Sequence, residues 1–291
     1  MHGFICIDKP LGITSHDVVA IVRRISRIKR IGHAGTLDPG ASGVLVLAIG
    51  PTTRLIEYVQ DETRKTYVAT ITLGIATDSD DADGSVLSQM PVVAHPEATI
   101  STVLRSFVGA IMQIPPKVSA IHVDGKRMYD LARQGIAPDL PARPVHIYAI
   151  TLLSFTADSL QVQVTCGKGT YIRSLARDIG AALGTVAHLS ALRRTAVGSF
   201  SVETSVTIEQ LQENGVTQWL KPNAVALADW PVHQATEIEI ALIHNGMPID
   251  CSFVDSQRVA IIDSTGELLA TAVQRNAKLY PTKVFRWSEA S

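Results

Sequence analysis

The run Gly32-His33-Ala34-Gly35-Thr36-Leu37-Asp38-Pro39-Gly40-Ala41-Ser42-Gly43-Val44-Leu45 sets one carboxylate, Asp38, in a loop of glycine, proline and small polar residues. An apolar stretch, Val44-Leu45-Val46-Leu47-Ala48-Ile49, follows at once and reads as a buried strand. A lone acid on a tight turn beside a core strand is a costly place for a charge unless something pairs or uses it. The fold must therefore set a core strand directly behind a charged turn, and the chemistry turns on what Asp38 is for.

The chain has 291 residues, 46% hydrophobic and 18% charged, enough for a sizeable core in one large domain or a large domain plus a small one. A formal net charge of -1 excludes a polybasic, histone-like protein but leaves room for local basic patches. Two such patches exist. Residues 1–60 carry seven Lys/Arg against four Asp/Glu, and residues 166–194 carry five against one. Cys6, Cys166 and Cys251 are far apart, odd in number and lack zinc-site spacing, so reduced thiols and no metal are expected. The N-terminus has neither the basic start nor the cleavable apolar run of a signal peptide, and no stretch reaches the length of a membrane span. A soluble, cytoplasmic protein is expected.

Along the chain, residues 4–7 read as a strand and Thr14 or Ser15 as the cap of a helix. Residues 66–74 alternate like a strand. The acidic run Thr77-Asp78-Ser79-Asp80-Asp81-Ala82-Asp83-Gly84 fails the calcium-loop pattern at Ala82 and Gln89, and reads as a solvated turn with one acid paired to a base. Residues 97–109 read as a helix ending at Gly109. Lys126 to Gly135 reads as a short basic helix, residues 146–155 and 159–166 as a hairpin, and Ser174 to Leu183 as a helix stopped by Gly184. Beyond Asp229-Trp230-Pro231, residues 236–291 read as short β pieces of a separate small domain.

Three roles are open to Asp38: cap of a turn or helix, general base, or nucleophile. Capping is the ordinary role of an Asp before Pro. His33 is a candidate base, though a lone His is more often structural. Arg173 sits just inside a helix start, where the dipole disfavours a cation, and so awaits an anion: a phosphate or a carboxylate such as Asp38. Tyr67 and Tyr171 each lie beside bases, Arg64 and Lys65 for the first, Lys168 and Arg173 for the second. Rings interleaved with cations suit RNA, with the ring stacking on a base and the cations taking phosphates. The plainer reading is two core tyrosines.

Six stretches, in order from about residue 4 to 200, together resemble the TruB family of tRNA pseudouridine synthases. Gly32 to Pro39 is similar to its catalytic motif, and Ile7-Asp8-Lys9-Pro10-Leu11-Gly12-Ile13-Thr14-Ser15 to its N-terminal segment. Arg64-Lys65-Thr66-Tyr67 is similar to its tyrosine motif, and Thr77 to Gly84 to its acidic loop. Gly167-Lys168-Gly169-Thr170-Tyr171-Ile172-Arg173 and Leu192-Arg193-Arg194 are similar to its later tyrosine/arginine and leucine motifs.

The resemblance implies an α/β (α+β) pseudouridine synthase fold on a largely antiparallel mixed sheet. It implies a catalytic domain over 1–231, with an RNA-binding loop insertion at 114–144, and a small β-barrel-like (PUA-like) domain over 232–291. The implied activity is isomerisation of uridine to pseudouridine at position 55 in the tRNA T loop, with the base flipped out of the loop and no cofactor. Asp38 is implied to attack ribose C1′ or to help abstract a 2′ proton. Tyr67 is implied to stack on the base and to serve as the base at C5, and Arg173 to pair with Asp38 and hold it ionised. His33, Asp81, Tyr171 and Leu192 are implied to contact the substrate or order the RNA-facing loop. Lys117, Lys126, Arg127, Arg133, Lys168 and Arg193 are the candidate contacts to the RNA backbone. The expected partner is the T-arm stem-loop of tRNA, with no membrane, and the chain is expected to be a monomer. Two other readings stay open: a non-catalytic RNA-binding or tRNA-folding chaperone, and a guide-RNA-dependent pseudouridylase of the Cbf5/dyskerin type.

Overall fold

The structure is a computed structural model that describes residues 1–116, 122–123, 126–127, 140–251 and 258–287. Its first strand, β1 (Gly3–Lys9), is apolar on both faces and buried almost throughout. Thr14 then caps helix α1 (Ser15–Ser26): its hydroxyl accepts from the Asp17 amide while the Asp17 carboxylate accepts from the Thr14 amide. Val18, Val19 and Val22 give that helix its buried face, and Arg27, at φ 60°, ends it in the left-handed region. After β2 (Ile31–His33) comes β3 (Ala41–Ile49), which contains the apolar run that follows the Asp38 loop. Both its faces are covered, Val44, Val46 and Ala48 lying in one buried cluster and Leu45, Leu47 and Ile49 in another, so an uninterrupted apolar sequence fits it.

Helix α2 (Ile56–Glu62) leads into β4 (Lys65–Leu73), whose strict alternation puts every second side chain into the core. A small ribbon of β5 (Ile75–Thr77) and β6 (Val86–Gln89) carries the acidic loop between its strands. Helix α3 (Glu97–Ser106) is followed by β7 (Gly109–Gln113), a two-residue ladder of β8 (His122–Val123) with β9 (Lys126–Arg127), and the hairpin of β10 (Arg143–Phe155) with β11 (Ser159–Cys166). Helix α4 (Ile172–Ala182), β12 (Ala187–Val197), β13 (Phe200–Ser201) and helix α5 (Ile208–Asn214) complete this part of the chain. Among the described residues the main sheet has the order β1-β3-β12-β4-β11-β10-β7, with β2 on β3 and β13 on β12. Only the β3/β12 pair is parallel, so the sheet is mixed and largely antiparallel.

Three sequence expectations are corrected. The helix expected over 97–109 stops at Ser106, and Gly109, at φ +112°, opens β7. The helix expected from Lys126 does not begin there, because Lys126 and Arg127 pair with Val123 and His122. The rest of that expected helix lies outside the described residues. Finally, the C-terminal stretch is not all β: it holds helix α6 (Glu237–His244), capped by Thr236 and Glu239.

That stretch forms a second sheet from β14 (Val232–Gln234), β15 (Ile249–Asp250), β16 (Val259–Ile262), β17 (Leu268–Arg275) and β18 (Lys278–Val284), in the order β14-β16-β17-β18-β15. Its core of Ile243, Val259, Ile261 and Leu279 is its own. Its other face is not independent, for Ala260, Leu268 and Phe285 share one buried cluster with Phe4, Val46 and Phe200 of the main sheet.

One row across the main sheet underlies the Asp38 loop. Lys9 lies opposite Gly43, Gly43 opposite Arg194, and Arg194 opposite Tyr67. Gly43 must be glycine: it sits at φ +101°, and a Cβ there would meet the Arg194 carbonyl oxygen at 2.1 Å. Gly43→Ala is expected to destabilise the fold by about 3 kcal/mol, from backbone strain and overpacking together. A urea melt checks this, and an unchanged midpoint would contradict it.

Candidate active site

The Asp38 loop is held from three sides. The Asp38 carbonyl accepts from the Ala41 amide at 3.0 Å and closes the turn through Pro39 and Gly40, while the Gly12 amide reaches the Pro39 carbonyl at 2.9 Å. Ser15, at the start of α1, donates its hydroxyl to the Leu37 carbonyl (2.9 Å) and accepts from the Leu37 amide (2.8 Å). Arg194, 1% exposed, donates to the carbonyls of Val44 (2.7 Å), Gly35 (3.0 Å) and Thr36 (3.3 Å). So the backbone on both sides of Asp38 is fixed, while its side chain projects outward, 54% exposed. The charge is therefore not buried as the sequence suggested, and water lowers its desolvation cost.

Arg173 stands at the second position of α4, after Tyr171, which offers no side-chain cap. The buried amide of Gln113 clamps that turn instead, donating to the Tyr171 carbonyl (3.1 Å) and accepting from the Tyr171 amide (2.8 Å). A cation among free helical N–H groups is unfavourable unless anions neutralise it. Two do: Arg173 Nη2 lies 3.2 Å from Asp38 Oδ2, and Nη1 lies 3.0 Å from Asp81 Oδ2. Asp81 is itself oriented by the Ser79 hydroxyl (2.5 Å) and the Asp83 amide (3.1 Å). One turn along α4, Arg177 reaches Asp80 Oδ2 at 2.6 Å, Asp178 Oδ1 at 3.0 Å and the Ile114 carbonyl. Burial raises the Asp80 carboxyl above its ordinary value, against the pull of Arg177. The acidic run is thus not a solvated turn with one paired acid. Two of its acids are drawn onto α4 by arginines four residues apart.

Asp38, Asp81, Arg173 and Leu192 line one cleft of about 80 Å³, together with Gly40 and with Leu189, Ser190 and Ala191 of β12. The other candidates lie elsewhere. Tyr67, on β4 opposite Arg194, is 8% exposed and belongs to the core, where burial raises its phenol and Arg194 acts against that shift. Tyr171 sits at the start of α4 with the Arg143 guanidinium 5.1 Å from its ring centre. His33 ends β2 and meets His16 edge-on at 5.4 Å. Burial, then the charges of His16 and Arg194, push its imidazole below the usual value.

That shift has a signed consequence. At pH values below about 6.5 the unfolded chain takes up a proton at His33 that the folded chain refuses, so stability falls as the solution is acidified through that range. His33→Gln should flatten the acid side of a Tm-against-pH curve. An acid limb identical to that of the wild type would contradict this.

Of the RNA-backbone candidates, Arg193 is engaged with Asp8 at 2.7 Å. Lys168 lines a larger cleft of about 610 Å³, with Glu57, Asp61, Trp230 and Arg258. Lys126 and Arg127 lie in β9, and Lys117 and Arg133 fall outside the described residues. What sequence reasoning missed is the set of buried cations behind the loop. Besides Arg194, Lys9 is fully buried and donates to the carbonyls of Pro10 and Ile13 (both 2.8 Å), and Lys65 donates to the Gln60 carbonyl (2.8 Å). Burial lowers the pKa of both lysines. Their partners are backbone carbonyls, which leave no mark in a sequence.

The comparisons with known proteins bear on the whole of this arrangement. Residues 23–172 match the family described as "TruB family pseudouridylate synthase (N terminal domain)", and residues 173–225 match "tRNA pseudouridylate synthase B C-terminal domain". The chain is 43% identical over 294 residues to a protein of Thermobifida fusca named tRNA pseudouridine synthase B, covering 98% of this chain and 99% of that protein. It is 42% identical over 285 residues to the protein of that name from Corynebacterium diphtheriae, covering 92% and 94%. Among solved structures, it is similar to a chain of an H/ACA RNP bound to a substrate RNA containing 2′-deoxyuridine. There the TM-score is 0.75 at 27% identity, covering 99% of this chain and 86% of that one. It is also similar to a chain of a Cbf5-Nop10-Gar1 complex, with a TM-score of 0.74 at 29% identity, covering 98% and 85%. With the loop, the sheet and the relatives in agreement over nearly its whole length, the chain belongs to the TruB family of pseudouridylate synthases.

Proposed function

We propose that this chain is an isomerase that converts uridine to pseudouridine in tRNA, at position 55 of the T loop, with the T-arm stem-loop as its docking element. The observation that carries this reading is the Asp38–Arg173–Asp81 bridge at the mouth of a cleft, in a chain of the TruB family. The reaction breaks the bond from ribose C1′ to N1 of uracil, turns the base, joins C1′ to C5 and releases the C5 proton. Asp38 is the carboxylate for the first step. Its carboxyl group is open to a nucleotide and lies against the Arg173 guanidinium, placed either to attack C1′ or to abstract a 2′ proton. Asp81 keeps Arg173 aimed across the cleft, and Leu192 supplies an apolar wall against a flipped base.

Tyr67 fits stacking on that base better than proton removal at C5, since a phenol whose pKa is raised by burial holds its proton more firmly. Contact with a base requires RNA to open its face. The proposed site of action is the cytoplasm; among the described residues no helix is long and apolar enough to cross a membrane.

The test is tritium release. Purified protein and tRNA labelled at uridine C5 should release tritium without added partner proteins or guide RNA. An absence of release would overturn the reading, and release only with a guide RNA and partner chains would favour the Cbf5/dyskerin type.

A further inference from the structure

Away from the Asp38 cleft, β10 and the turn before α4 build a continuous strip of cations and rings. Arg64 sits 4.1 Å above the ring centre of Tyr148, and His146 packs on the same ring at 4.5 Å. The Tyr148 ring lies over Gly167, whose amide donates to the His146 carbonyl at 2.8 Å. Beyond the exposed Lys168, Arg143 donates to the Gly169 carbonyl at 3.1 Å and stands 5.1 Å from the ring centre of Tyr171. Two residues further on is Arg173, whose guanidinium meets Asp38.

Arg64, His146 and Lys168 are exposed, and Tyr148 keeps 39% of its surface open. Among the described residues no carboxylate lies within ion-pair distance of Arg64, Arg143 or Lys168, in a chain that pairs Arg173, Arg177 and Arg193 with acids. Three cations left without an acid, two tyrosine rings partly open to solvent and glycine backbone between them match the chemistry of a folded-out RNA strand. Cations take phosphates, while rings and guanidinium planes take bases. A protein partner would need an acidic surface with no use for the open rings.

The geometry points to this strip, Arg64, Arg143, His146, Tyr148, Lys168 and Tyr171, as a docking track for RNA nucleotides outside the flipped uridine. It rests on the tRNA reading and extends it to residues on β10, outside the six motifs that carry the family resemblance.

The test measures affinity for an unmodified tRNA transcript across a salt series, with every protein carrying Asp38→Asn so that turnover does not intervene. Adding Arg64→Ala and Tyr148→Ala should weaken binding about tenfold and lower the slope of log K against log salt by about 0.7 to 0.9. Arg64→Lys should keep the slope and lose part of the affinity, because charge survives and the planar stack does not. Arg105→Ala, on the exposed side of α3, should change neither. Parent-like affinity and slope in the folded double variant would overturn the strip. If the double variant melts below the assay temperature, Arg143→Ala at the other end carries the same expectation and the same overturning result. Failure of wild-type protein to release tritium would count against the isomerase reading, whereas an active wild type with parent-like strip variants would remove the strip alone.

Discussion

Asp38→Asn should lower pseudouridine formation by roughly three to four orders of magnitude and leave tRNA affinity near that of the wild type. The asparagine oxygen can still lie against Arg173 Nη2, and the loop is fixed through backbone groups of Gly35, Thr36, Leu37 and Val44, so the shape of the cleft survives. What is lost is the charge and nucleophilic or basic character of one oxygen. Single-turnover tritium release, set beside filter binding of the same transcript, separates the two effects. Equal loss of binding and turnover would mean that Asp38 holds the loop or the RNA. Full turnover would remove it from the chemistry altogether.

Arg194→Met carries the largest expected structural effect. The guanidinium is nearly inaccessible and donates to three carbonyls, and methionine removes that donor from the buried Val44 carbonyl and from the partly buried carbonyls of Gly35 and Thr36. Unsatisfied buried carbonyls cost about 1–3 kcal/mol each, offset in part because a buried charge no longer needs to be desolvated. A net loss of about 3 kcal/mol is expected in a urea melt. Faster amide exchange should appear at Ala41, whose partner is the Asp38 carbonyl, before it appears in β1. Arg194→Lys should recover part of the stability, since one ammonium cannot reach three separated carbonyls. A fully stable methionine variant with wild-type exchange at Ala41 would show that the loop stands without this clamp.

The parts of this fold that were legible in sequence are those where periodicity and capping act locally. Val44 to Ile49 reads as a core strand because both its faces are covered, and β4 alternates because one face of its strand is buried. Arg173 stood out because a cation at a helix start is electrostatically misplaced unless carboxylates meet it. The structure brings Asp38 and Asp81 to it from loops 135 and 92 residues away in sequence.

Helix α6 was written in a readable signal, the Thr236-x-x-Glu239 capping box, and was missed because Ile238, Ile240, Leu242 and Ile243 give it no polar face. The buried lysines and Arg194 were illegible for a different reason. Their partners are main-chain carbonyls of loops, of α2 and of β3, and main-chain groups are present at every residue. The strip on β10 was likewise invisible, because Arg64, Tyr148 and Arg143 become neighbours only through the pairing of β4, β11 and β10 and the turn before α4.

The most direct test of the central claim is to map pseudouridine at nucleotide resolution in an unmodified tRNA transcript treated with the purified chain alone. The account predicts one new pseudouridine, at position 55 of the T loop, absent when the chain carries Asp38→Asn. No pseudouridine, or pseudouridine formed elsewhere in the transcript and not in the T loop, would contradict it.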